Sequence, residues 1–165
     1  MDKKIFSFIN RLAGKNMLID RMMVYASNDL RYVYPFAMII LWIQNPKKTK
    51  AVFESFFSVL INVGLSLLFK KVKYVPRPFI SRKANVLLTS KNDSSFISKH
   101  TILAYSVSTS IYLYNKVLGI FMYRLSALVG FSRVWTGVHY PYDILRSACI
   151  GSLVSVIVNR LLKSK

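Results

Sequence analysis

Five helix-length apolar segments, each ended by charged residues, constrain this chain more than any other feature. They cover residues 32–44, 51–69, 101–115, 117–131 and 144–158. Glu54 interrupts the second, Arg124 lies inside the fourth, and Arg146 stands near the start of the fifth. A helix crossing a bilayer alone needs ~20 apolar residues. Several of these segments are shorter or interrupted, so they are expected to shield one another. The expected fold is all-α: a polytopic membrane bundle of about six helices, with five apolar spans plus a short N-terminal helix over residues 17–27. Residues 3–12, KKIFSFINRL, mix cations with Phe and Ile in a pattern that suits a helix lying at the membrane interface. Arg11 and Lys15 interrupt the only early apolar stretch, so no cleavable signal peptide is expected. At 165 residues, with no internal repeat, residues 1–165 read as one domain.

Composition excludes the other reading of a basic chain. Lys and Arg number 24 against 6 Asp and Glu, a net charge of +18. A basic soluble protein would suggest nucleic acid. Yet 53% of this chain is apolar and its mean hydropathy is +0.37. Only 18% is charged, below the ~25% of soluble domains. No nucleic-acid partner is therefore expected. Apolar runs with basic loops fit a membrane protein that meets anionic lipid or phosphate. The single cysteine, Cys149, rules out an internal disulfide and a thiol metal cluster, and is expected to pack in the core. Alternation of the segments puts residues 28–31, 70–98 and 133–139 on one side. The other side carries Lys47, Lys48, Lys50, Lys116, Arg160, Lys163 and Lys165, and the positive-inside rule makes it cytoplasmic.

Chemistry collects on the first, extracytoplasmic side. Both histidines of the chain, His100 and His139, lie there with Lys70, Arg77, Ser98, Lys99 and Arg133. His139 and Asp143 are four apart, on one face of a helix that begins near Tyr140. A carboxylate there can hold one imidazole nitrogen protonated and leave the other nucleophilic. Pro141 fits the first turn of that helix. Cations from several segments form a cage for a group carrying two or more negative charges, and charges this close to a membrane usually mark function. Each residue alone also has a structural role open to it. Ser98 can cap a helix, Arg133 can snorkel, Lys70 can meet lipid headgroups, and Asp143 can pair with Arg146 at i,i+3.

The spacings join these residues. Lys70-x6-Arg77-Pro78, Ser98-x-His100 and Ser132-Arg133-x5-His139-x3-Asp143 resemble, in order, the three signatures of the type 2 phosphatidic acid phosphatase family. Within that family the phrases VPRPF, SFISKHT and GFSRVWTGVHYPYDIL resemble the bacitracin-resistance type of undecaprenyl-diphosphatase. The resemblance implies a multi-pass phosphohydrolase of the cell membrane that needs neither metal nor cofactor. It implies a polyprenyl diphosphate lipid substrate and a site facing outward among membrane lipids. By the same carry-over His139 is the nucleophile, Asp143 orients it, and His100 is the general acid. Lys70, Arg77, Ser98 and Arg133 hold the phosphoryl oxygens. Lipid-tail choice and oligomeric state are not legible. Other lipid phosphates, such as phosphatidate or phosphatidylglycerophosphate, are the alternative substrates. A non-catalytic binder of anionic lipid is the alternative class.

The second signature departs from the family. Ile97 stands where Pro is usual, and Lys99 where Gly or Asp is usual. Ile cannot restrict φ as Pro does, so a looser entry into the following helix is expected. Lys99 adds a cation beside His100: either it meets the second phosphate of a diphosphate, or it disfavours the protonated His100 and weakens the enzyme. The loop over residues 79–96 is long for a compact bundle, as lids and binding loops are. Its Arg82, Lys83 and Lys91 are candidates to guide an anionic headgroup.

Overall fold

A computed structural model describes residues 1–44, 49–90 and 92–163. Lys47, Lys48, Lys91 and Lys165, singled out above, lie outside the described residues. Among those described there are helices and turns and no strand. The elements are α1 (Asp2–Asn10), α2 (Met17–Asn28), a 3-10 turn (Leu30–Tyr32), α3 (Val33–Gln44), α4 (Thr49–Val72), the single-turn α5 (Pro78–Ser81), α6 (Lys99–Tyr112), α7 (Lys116–Trp135) and α8 (Pro141–Lys163).

The all-helical expectation holds, but its count does not. Seven described helices are longer than one turn, rather than six. Three, not five, are long and apolar enough to cross a membrane: Thr49–Val72, Lys116–Trp135 and Pro141–Leu162. The 12 residues of α3 and the 14 of α6 extend about 18 and 21 Å, short of a hydrocarbon core of about 30 Å. Apolar character marked these segments in the sequence. In the structure α6 is central, packed most extensively on α8 and α7 and then on α4. It needs no lipid-spanning length because the long helices surround it.

The bundle is inverted relative to a soluble protein. On α4 the buried positions are Ala51, Glu54, Ser55, Ser58, Asn62 and Ser66, which recur at helical spacing. Phe53, Phe56, Phe57, Leu60, Ile61, Leu67 and Leu68 face outward. Small residues let helices approach closely in lipid, and their hydroxyls link the helices. Asn62 Nδ2 donates to Ser106 Oγ (3.1 Å), which lies 3.0 Å from Ser155 Oγ; Ser126 Oγ lies 2.8 Å from Ser108 Oγ and 2.9 Å from the Tyr34 hydroxyl. Gly151 lets α8 lie directly on the Ile102 carbonyl of α6, where any Cβ would collide. Cys149 is exposed on α8, contrary to the core position expected for it. Lipid, rather than water, is the medium that such an outer face suits.

At the opposite edge α1 and α2 pack against α7. Asn10 and Asn85 bind reciprocally: Asn10 Nδ2 donates to the Asn85 carbonyl and Asn85 N–H donates to Asn10 Oδ1, both at 2.8 Å. Arg82, a candidate for guiding the headgroup, instead donates to the Lys3 carbonyl and Ser7 Oγ of α1. The long loop is thus fastened to the N-terminal helices along its first half.

Candidate active site

The turn between α7 and α8 carries His139. Gly137 ends α7 at φ 81°, the left-handed conformation that favours glycine at a helix C-terminus. A Cβ there would also press on the Asn85 carbonyl. The N–H groups of Val138 and His139 both return to the Arg133 carbonyl, each at 3.2 Å. His139 is thereby drawn back under α7 and is only 2% exposed.

Its tautomer follows from its neighbours. Nδ1 lies 3.2 Å from the Ser95 carbonyl oxygen, which can only accept. The proton is therefore on Nδ1 and the lone pair on Nε2. Nε2 faces Arg77 Nη1 at 3.2 Å. Asp143 Oδ2 is 3.8 Å from Nδ1, beyond hydrogen-bonding distance. Its closer tie is to the Tyr140 N–H, 3.0 Å away, which caps the start of α8. Burial first, then the charges of Arg77, Arg133 and Lys70, hold the His139 imidazole well below its ordinary pKa. His139 is thus neutral at neutral pH.

Lys70, at the end of α4, and Arg77, just before α5, converge on one carboxylate that sequence analysis missed. Asp93 accepts from Lys70 Nζ at 2.6 Å and from Arg77 Nη2 and Nε at 2.6 and 3.1 Å. Burial opposes its charge, but those donors win and hold the Asp93 carboxyl down to about 2. The signal was available: this is one of only 6 acidic residues in a chain with 24 cations. The loop is set in place by Ser94, which donates to the Lys73 carbonyl and accepts from the Val75 N–H. Arg146 completes the anchorage. It donates to the Phe96 carbonyl at 2.7 Å and lies 3.9 Å over the Phe96 ring, so it does more than pair with Asp143.

Arg133 stands behind this group, 6% exposed, with Nη1 donating to Ser27 Oγ at 2.7 Å. Its Nε is buried without a hydrogen-bond partner. A buried orphan donor on a guanidinium costs stability unless something accepts from it. Ser98 is fully buried as the cap of α6: Oγ accepts from Thr101 N–H and Thr101 Oγ1, while its own N–H donates to Ser147 Oγ at 2.8 Å. Those ties and the full burial of Ile97 secure the helix entry without proline, where a looser entry was expected. Lys99 is exposed on the rim. His100, in the first turn of α6, has Arg31 Nη1 3.5 Å from its Nε2. Burial first, then Arg133, Arg31, His139 and Arg77, push His100 down to about 3. The fold thus unites Lys70, Arg77, Arg133 and both histidines in one basic site. It turns Ser98 toward capping and leaves Lys99 at the edge. Among the described residues no three His, Cys, Asp or Glu side chains gather to hold a metal ion.

The PAP2 superfamily pattern matches residues 51–165, which hold all of these signature residues. The chain belongs to the PAP2 superfamily. Among named PAP2 relatives, undecaprenyl-diphosphatase BcrC of Bacillus subtilis is 28% identical over 161 residues, covering 97% of this chain and 83% of that protein. Bacitracin transport permease protein BcrC of Bacillus licheniformis is 29% identical over 155 residues, covering 93% and 76%. Aquifex aeolicus LpxE shares the fold at a TM-score of 0.84 and 24% identity, covering 96% of this chain and 94% of that one. The PAP2-type phosphatidylglycerolphosphate phosphatase of Bacillus subtilis shares it at 0.66 and 19%, covering 98% and 86%.

Proposed function

We propose that this PAP2 protein is a membrane lipid-phosphate phosphohydrolase that converts undecaprenyl diphosphate to undecaprenyl phosphate. In this reading its site faces the extracytoplasmic side, where it recycles the lipid carrier of cell-wall synthesis and supports bacitracin resistance. The observation that carries the reading is the buried, neutral His139. Its Nδ1 is fixed by the Ser95 carbonyl, and its Nε2 lone pair points into a cluster of cations. The named BcrC relatives support the choice of substrate.

The terminal phosphoryl group replaces the Asp93 carboxylate on Lys70 and Arg77, and takes the free Nε of Arg133. His139 Nε2 attacks phosphorus, and the bond from phosphorus to the bridging oxygen breaks. His100 gives its proton to that oxygen, and undecaprenyl phosphate leaves. Water then attacks the phosphohistidine, His100 takes a proton from it, and inorganic phosphate departs. Phosphoryl transfer needs mainly positioning and charge neutralisation, which fixed cations supply here in place of a metal ion. Asp143 acts on His139 through the turn it caps, keeping Tyr140 and the imidazole in register. Ser98 orients the first turn of α6 that bears His100. Lys99 meets the second phosphate.

Purified protein in detergent is expected to release phosphate from undecaprenyl diphosphate with EDTA present, and His139→Ala to abolish the release. Retained activity in that variant, or full dependence on added metal, sinks the mechanism. Lys99→Gly and Lys99→Asp are expected to lose more on the diphosphate than on a monophosphate lipid. Equal loss on both removes Lys99 from the second phosphate.

A further inference from the structure

We infer that Arg31, on the 3-10 turn joining α2 to α3, is a specificity-determining residue that binds the departing lipid phosphate and so favours diphosphate substrates. The inference rests on the phosphohydrolase reading above. Arg31 lies outside the three signatures and outside the stretch matched by the PAP2 pattern.

Its guanidinium is held in place rather than free. Nη2 donates to the Tyr32 hydroxyl at 2.9 Å, and the group lies 4.8 Å over the Tyr32 ring. Nη1 points to His100 Nε2 at 3.5 Å. Arg31, Lys99 and His100 share one groove of about 700 Å³, whose further wall includes Met38, Trp42 and Phe56. Cations and the acid thus share this groove with apolar side chains from α3 and α4.

The chemistry assigns this end of the site. Phosphoryl transfer runs in line, so the leaving oxygen departs opposite His139 Nε2. That oxygen must meet His100, hence it departs toward the Arg31 groove. A simple phosphate monoester would present a carbon chain there. A diphosphate presents a second phosphate, and two cations on neutral-lipid territory match only the latter. The Arg31 contact also controls the acid. A guanidinium cannot accept a hydrogen bond, so while it sits on Nε2 that nitrogen holds a lone pair and has no proton to give. An anionic leaving group draws Nη1 onto its own oxygens. Nε2 then takes a proton from solvent at the groove mouth and passes it to the bridging oxygen as the bond to phosphorus breaks. A substrate without that second phosphate leaves Arg31 on His100.

The test compares kcat/KM of wild type, Arg31→Gln and Arg31→Lys on undecaprenyl diphosphate and on phosphatidate. Loss of one charge-assisted hydrogen bond predicts a fall of about 10- to 100-fold for Arg31→Gln on the diphosphate. Phosphatidate turnover, in which Arg31 stays on His100, is expected to rise in Arg31→Gln, and Arg31→Lys to recover part of the diphosphate loss. Competitive inhibition by inorganic phosphate, which needs Lys70, Arg77 and Arg133 alone, gives a reference independent of any leaving group; its constant is expected to stay put in Arg31→Gln. Equal loss on both lipids, an unchanged diphosphate rate, or a parallel shift in phosphate inhibition overturns the inference. A wild-type protein inactive on both lipids overturns the phosphohydrolase reading instead.

Discussion

Two buried polar clusters sit toward opposite ends of α4, and they are built on opposite rules. Glu54 and Lys70 are 16 residues apart on that helix, about 24 Å. Glu54 is 1% exposed, yet each of its oxygens is matched: Tyr114 OH donates to Oε1 at 2.6 Å and Asn159 Nδ2 to Oε2 at 2.5 Å. Donors and acceptors there come from α4, the α6–α7 turn and α8, and close on themselves. At the Lys70 end the donors outnumber the acceptors. Asp93 is the one carboxylate paired with Lys70 and Arg77 among the described residues, Arg77 Nη1 donates further to the Val138 carbonyl at 2.9 Å, and Arg133 keeps an unpartnered Nε. A closed cluster locks helices together; a cluster with surplus donors awaits an anion from outside.

That contrast yields an ordered set of expectations. The largest effect belongs to His139→Ala, which should cut phosphate release at least ~10³-fold, as loss of a nucleophile typically does, while the protein still purifies folded. Normal turnover in this variant would erase the distinction between the ends. Glu54→Ala should do the reverse. It strands two donors, at about 1–3 kcal/mol each, so thermal melting in detergent should drop while turnover per folded molecule is kept. Lost turnover in a fully stable Glu54→Ala protein would show that the two clusters communicate.

A subtler effect concerns pH. His100 is pushed down to about 3 without substrate, and a bound phosphate should raise it by adding negative charge. The profile of kcat reports the enzyme–substrate complex, and that of kcat/KM the free enzyme. The basic limb of kcat is therefore expected at higher pH than that of kcat/KM. Coincident limbs would mean that substrate charge does not set the acid. The smallest effect is expected from Asp93→Asn. Its partly exposed carboxylate competes only weakly with phosphate, so inhibition by inorganic phosphate should tighten slightly. Weaker inhibition would make Asp93 an organiser of the cations. Asp93 is depressed from ~3.9 to about 2. Its ion pairs thus stabilise the loop above the higher value and are lost as pH falls through the lower one. Protection of residues 92–98 against hydrogen exchange, corrected for the intrinsic pH dependence of exchange, should be flat from pH 7 to 5 and fall only in stronger acid.

Much of the candidate site was legible because three intervals along the chain resemble the family's signatures. Lys70, Arg77, Arg133, His100 and His139 could be named from intervals along the chain. The partners that tune them could not. The Ser95 carbonyl that fixes the His139 tautomer is a backbone atom of a loop 44 residues away. Arg31 reaches His100 across 69 residues. Backbone acceptors leave no mark in residue type, and a lone Arg near a helix end looks like any other.

The sequence by itself determined that this chain is helical, lipid-facing and basic at the end that carries both histidines, because hydropathy and charge act locally along a helix. It did not determine how many segments reach across a membrane. Apolar runs look alike whether a helix meets lipid, as α4 does on one face, or is enclosed by others, as α6 is. Only the tertiary structure separated the three described helices long and apolar enough to cross from the shorter α3 and α6. It also decided that Asp143 caps α8 instead of touching His139, since a four-residue interval permits the contact but the turn at Gly137 sets the distance.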